Sequence, residues 1–72
     1  MELVLDRKLY SGDAVDATQE AFSPFARITR IDEDAATWRI RFAEIDPEFK
    51  DVIADEFANY ALGLTAEGRH GS

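Results

Sequence analysis

The chain is predicted to be a single α+β domain of order β-α-β-β-α, with a three-stranded sheet carrying two helices on one face. Three observations predict it. Residues 37–45, TWRIRFAEI, alternate in character, with Trp38, Ile40 and Phe42 facing one way and Arg39 and Arg41 the other, which is the period of a half-buried strand. A polar stretch from Asp32 to Ala36 separates them from another β-rich run, 25–31, FARITRI, as in a hairpin. Two further segments carry helix starts and helical spacing, one before the hairpin and one after it.

The elements follow in order. Leu3, Val4 and Leu5 form a short apolar run, so residues 2–6 are expected to be a strand, ended by the polar pair Arg7 and Lys8. Ser11 is a good N-cap for the first helix, and Asp13 falls in its first turn, where a negative charge suits the helix dipole. Tyr10 and Val15 have the spacing of a hydrophobic staple. Val15, Thr18 and Phe22 share a face, widened by Ala14, Ala17 and Ala21. Ser23-Pro24 should end this helix, because the residue before proline avoids the helical region. In the hairpin, pairing Ile31 with Thr37 would place Ile28 opposite Ile40, Ala26 opposite Phe42 and Arg30 opposite Trp38, where the arginine stem can pack on the indole. Asp46-Pro47-Glu48 is a strong helix start. Phe49, Val52, Ile53, Phe57, Tyr60, Ala61 and Leu64 then recur at helical spacing, with Gly63 and Gly68 as candidate endings. The domain is expected over 1–66, with 67–72 a flexible tail holding the single histidine, His70. A β-α-β crossover should be right-handed. The order resembles a ferredoxin-like fold without its last strand.

Composition narrows the function. With 72 residues the chain is one domain near the lower size limit for folding alone, and such a domain often gains stability from a second copy or a partner. The absence of cysteine excludes disulfides, thiolate metal sites and cysteine nucleophiles, and favours the cytoplasm. No apolar run approaches the roughly 20 residues that span a bilayer. A net charge of −7 opposes general attraction to nucleic acid or anionic membrane.

Catalytic equipment is sparse. Asp32, Glu33 and Asp34 lack the ligand spacing of a calcium loop and read as a solvated turn. Asp51 and Asp55 stand four apart on a helix, but with 15 acidic residues such pairs arise by chance. Neither a nucleophile–base pair nor a glycine-rich phosphate loop accompanies them. No catalytic residue, metal ligand or cofactor is therefore expected, and the chain is expected not to be an enzyme.

Two features point to binding. Four of the eight basic residues lie in the hairpin, and Arg27, Arg39 and Arg41 share its non-core face with Thr29. They would either receive an acidic peptide, phosphate or protein surface, or form a solvated face neutralised by acids such as Glu44. The strand of Leu3, Val4 and Leu5 pairs with the second hairpin strand and has no neighbour beyond it. That edge is predicted to pair with a strand of a second copy or of a bound peptide.

The stretch LDRKLYSGDAVDATQEAF (5–22), the two basic strands and DEFANYAL (55–62) resemble the HxsD family, small proteins of the His-Xaa-Ser peptide-maturation system. In that family a tyrosine precedes the first helix, as Tyr10 does here, and an asparagine-containing helix closes the domain. Here Tyr60 directly follows Asn59, with Leu62 beyond, a departure from the family's spacing. The resemblance spans roughly residues 3–64 and carries no catalytic residues to transfer. It implies a non-catalytic accessory or adaptor subunit that binds a peptide or a larger radical-SAM peptide-modifying enzyme. The alternative is a self-associating structural domain, a homo-oligomer without a peptide ligand.

Overall fold

A computed structural model describes residues 1–70. Its elements are β1 (Glu2–Asp6), α1 (Gly12–Phe22), β2 (Arg27–Ile31), β3 (Thr37–Ala43) and α2 (Ile53–His70). The sheet is antiparallel with order β1-β3-β2, the order of a ferredoxin-like sheet without its fourth strand. α1 packs toward β2, α2 toward β1, and the helices pack on each other.

The helix starts illustrate local chemistry overruled in one case and obeyed in the other. Ser11 has extended backbone, and its hydroxyl accepts the Ala14 N–H at 3.2 Å, which satisfies one of the helix's free donors. The second start moves. Asp46 does accept the Glu48 N–H at 3.0 Å, and its carbonyl accepts the Phe49 N–H at 2.9 Å. Those bonds close a tight turn that does not propagate. The Phe49 carbonyl receives both Val52 and Ile53 N–H groups, and α2 begins only at Ile53. At its other end α2 runs to His70, past the expected boundary at 66, so residues 67–70 are helical. Residues 71–72, the rest of the expected tail, lie outside the described residues. Gly63 and Gly68 fall inside the helix and do not end it. Neither has a positive φ, and a Cβ on either would meet nothing within 4 Å.

The hairpin register differs from the expected one by two residues. Ile31 pairs with Arg39, Ile28 with Phe42, Arg30 with Ile40 and Arg27 with Ala43. Asp34 explains the longer turn, because its carboxylate accepts the Ala36 N–H at 2.8 Å and the Thr37 hydroxyl at 3.4 Å. A shift of two keeps every side chain on its face, whereas a shift of one would have inverted the sheet. Both strands are also shorter than expected. β3 stops at Ala43, where Glu44 takes a positive φ of 52° and leaves the extended region.

Side chains from the covered sheet face and both helices form one core of Leu5, Val15, Ala26, Ile40, Phe42, Ile53 and Phe57. Phe57 meets the edges of Phe22 and Phe42, each with ring centroids 5.5 Å away. Trp38 closes one end. Its Nε1–H donates to the Tyr10 carbonyl at 2.9 Å, and the Arg7 and Arg30 guanidinium carbons lie 3.9 and 5.0 Å from the ring centroid. Arg30 therefore does pack on the indole, although its register partner is Ile40. The ring also lies so close to Gly12 that a Cβ there would stand 3.3 Å from two of its carbons. Among the described residues, the buried polar ones are Thr18 and Thr65. Each hydroxyl donates to the carbonyl four residues before it, and that of Thr65 also accepts the Ser11 N–H at 3.1 Å, tying α2 to the start of α1.

Two stability changes follow. Phe57→Ala should cost about 3–5 kcal/mol through the cavity it leaves, a large part of the roughly 4–11 kcal/mol that a domain of this length has. Gly63→Ala should raise stability by about 0.5–1 kcal/mol, because the position is helical and open. Urea unfolding midpoints measure both. An unchanged midpoint for Phe57→Ala would place the core elsewhere.

Candidate functional site

The outer edge of β1 is where backbone groups are left open. The Phe42 N–H donates to the Met1 carbonyl at 2.8 Å, and the Arg7 N–H to the Ala36 carbonyl at 3.0 Å. Antiparallel bonds repeat every two residues, so Met1, Leu3, Leu5 and Arg7 bond to β3. Glu2, Val4 and Asp6 point their N–H and C=O groups the other way, where no further strand lies among the described residues. The Asp6 carbonyl accepts from Leu9 and Tyr10 at 3.0 and 3.1 Å. The outward groups of Glu2 and Val4 are left facing away from the sheet.

The opposite edge is treated differently. By the same alternation Ile28 and Arg30 point outward from β2. Gln19, on α1, donates its side-chain N–H to the Ile28 carbonyl at 3.0 Å, and Arg30 pairs with Asp16 of α1 and with Asp32. α1 thus guards β2 with side chains, a usual way of blunting a sheet edge. β1 has only the charges of Glu2 and Asp6 at its ends.

The candidate residues divide accordingly. Leu5 is 4% exposed and belongs to the core, and Leu3 is half-buried against it. Val4 alone of the three presents its side chain outward, at 57% exposure. Glu2 and Asp6, which flank the apolar run in the sequence, share the face of Val4, as the strand period requires.

Arg27, Arg39 and Arg41 do share the uncovered face. Their register partners are Ala43, Ile31 with Val4, and Thr29 with Glu2, so no two of these arginines stand directly opposite each other. Each is met by an acid. Arg27 pairs with Glu44 at 3.1 Å, Arg39 with Glu33 at 3.2 Å and with Glu2 at 3.7 Å, and Arg41 with Glu2 at 2.9 Å. The face is therefore a lattice of opposite charges, and exposed pairs of this kind stabilise weakly.

Among the described residues, no group of three or more His, Cys, Asp or Glu is placed to hold a metal ion. No helix of the described residues is long and apolar enough to cross a membrane. Asp51 and Asp55 are exposed. A small apolar pocket of about 190 Å³, lined by Phe22, Phe25, Phe49, Val52, Ile53 and Glu56, opens where α1 ends and α2 begins. Helical spacing assigned Phe22 and Phe49 to the packed faces of their helices, and they are half-buried with Phe25 at the core's rim. Comparison with known proteins found no family model, no curated protein and no solved structure that matches the chain.

Glu2 gives a pH dependence. The Arg41 hydrogen bond, with the nearby charges of Arg41, Arg39 and the N-terminus, holds its carboxyl below the ordinary value of 4.5. A carboxyl lowered in the folded state adds stability above its unfolded pKa and loses it as pH falls through the folded value. Urea midpoints should therefore fall more steeply for the wild type than for Glu2→Gln as pH drops from about 5 to about 3. Equal slopes would mean that the Glu2–Arg41 pair is not formed in solution.

Proposed function

We propose that this chain is a non-catalytic accessory domain that works by taking an extended segment of a partner onto the outer edge of β1. The observation that carries the reading is the asymmetry of the sheet edges. β2 is covered by Gln19 and Arg30, while β1 turns the backbone of Glu2 and Val4 outward beside an exposed Val4 side chain. A ferredoxin-like sheet has a fourth strand at this position, so the place is shaped for one, and strand addition draws affinity from main-chain bonds that any extended partner supplies. The HxsD resemblance adds a setting: a cytoplasmic peptide-maturation system, in which the partner is the modified peptide or the radical-SAM enzyme. The covered polar interior supports a binding role over a catalytic one, since its buried polar groups, Thr18 and Thr65, are spent on helix bonds.

Val4→Pro tests the reading. The Val4 N–H faces outward, so proline removes no bond to β3, whereas Leu3→Pro would break the sheet. Displayed random peptides selected on the wild type should yield extended binders, and the folded Val4→Pro protein should lose them. Selection of no binder, or equal binding by both proteins, would overturn the proposal.

A further inference from the structure

The helix layer has a surface of its own, and we infer that it docks a basic amphipathic helix of a partner protein. The surface lies on the side of the helices away from the sheet, apart from the β1 edge, and it stands whether or not that edge takes a strand. The two helices run antiparallel. The Ser11 N–H, at the start of α1, donates to the Thr65 hydroxyl near the end of α2. Phe22, at the end of α1, packs on Phe57 and Tyr60, earlier in α2, with ring centroids 5.5 and 5.6 Å apart. Between these two contacts the seam is open to solvent.

Its floor is apolar. Ala14, Ala17 and Leu64 line a depression at one end, Tyr60 and Leu64 line the next, and the pocket of about 190 Å³ between Phe22, Phe49 and Val52 lies at the far end. Tyr60 is 47% exposed, yet its ring is already held edge-on by Phe22, so little ordering is left for a partner to impose. The seam follows the 11 residues of α1, about 16 Å or three turns of helix. A helix laid along it would bury apolar residues at i, i+3 or i+4 and i+7, with one large side chain anchored in the pocket. Both helices bond their own backbone, so the seam offers a strand no main-chain partner, whereas a helical occupant needs none.

The banks of the seam are acidic. Asp13, Glu67 and Glu56 each line one of the three depressions, and no described basic residue lines any of them. Glu20 stands one position before Ala21, at i+7 from Asp13 on the same flank of α1. Between Ser11 and Ala26, and again between Asp51 and Gly68, the sequence has no lysine or arginine, but three acids in the first stretch and four in the second. Elsewhere acids and bases are equal in number, so the net charge of −7 belongs to these two stretches. Of their acids, Asp16 is taken by Arg30 on the far flank of α1, while the remaining ion pairs use acids of the sheet and its turns. The carboxylates along the seam thus favour lysine and arginine on the flanks of an incoming helix. The same charges disfavour the other occupants. A second copy docked through this face would set acid against acid, and an anionic membrane or a nucleic acid would be repelled.

The test is a selection on the full chain of displayed helical peptides, with leucine fixed at i, i+4 and i+7 and the flanking positions randomised among lysine, glutamine and glutamate. Lysine should predominate in the binders, and their affinity should fall as salt is added. For a selected peptide titrated by fluorescence anisotropy, Glu56→Gln and Glu67→Gln should each lower affinity roughly two- to fivefold. Ala17→Arg should abolish binding, because it puts bulk and a cation into the seam at an exposed helical position that arginine suits. Val4→Pro should leave binding unchanged, so this surface and the β1 edge stand or fall separately. Amide NMR shifts on binding should gather at Ala17, Tyr60 and Leu64. Selection of no binder, binders flanked by glutamate or glutamine, undiminished binding by Ala17→Arg, or shifts gathered on β1 would each overturn the proposal.

Discussion

The structure depends on Phe57. It is the point at which α1, α2 and the sheet touch one another, through Phe22 on one side and Phe42 on the other. A chain of 72 residues has little apolar surface to bury, so one fully enclosed aromatic supplies a large share of what holds the layers together. The helices reach the sheet through this ring and its neighbours Ile40 and Ile53. Everything at the periphery, including the Trp38 latch and the Thr65 bond to Ser11, fixes orientation around a contact that Phe57 has already made.

That arrangement also determines which edge is open. α1 is drawn toward β2, where Gln19 and Asp16 reach the strand. α2 is drawn toward β1, but it lies over the strand and does not close its side. The covered edge and the open edge are thus two consequences of one packing solution. Two helices on a three-stranded sheet leave one position of the four-stranded ferredoxin-like pattern unfilled. The functional proposal rests on that vacancy in the pattern.

The uncovered face shows how little a local charge count decides. Three arginines on one face look like a basic surface until the strands are paired. The register then brings Glu2 beside Arg41, and the turns bring Glu33 and Glu44 to Arg39 and Arg27. The face that looked basic is therefore a set of paired charges. Opposite charges from separate segments cannot be matched until their distance is known, and that distance is tertiary information.

By itself the sequence determined the element order, the faces of each strand and the start of α1. These depend on period-two and period-3.6 patterns and on one capping hydroxyl, all of them local. The central place of β3 was not forced by the sequence, since either strand of the hairpin has a free edge to which a first strand can pair; the structure gives the order β1-β3-β2. Only the tertiary structure decided the rest. Asp34 lengthened the hairpin turn and moved the register by two, a shift that face patterns cannot detect because it preserves them. The Asp46 start signal produced a turn and not a helix, and α2 ran through both glycines because packing of Phe57, Ala61 and Thr65 outweighs the small intrinsic penalty of glycine in a helix. At the edge, the apolar run was visible in the sequence. That Leu5 turns into the core, leaving Val4 on the uncovered face between Glu2 and Asp6, follows from the pairing of β1 with β3.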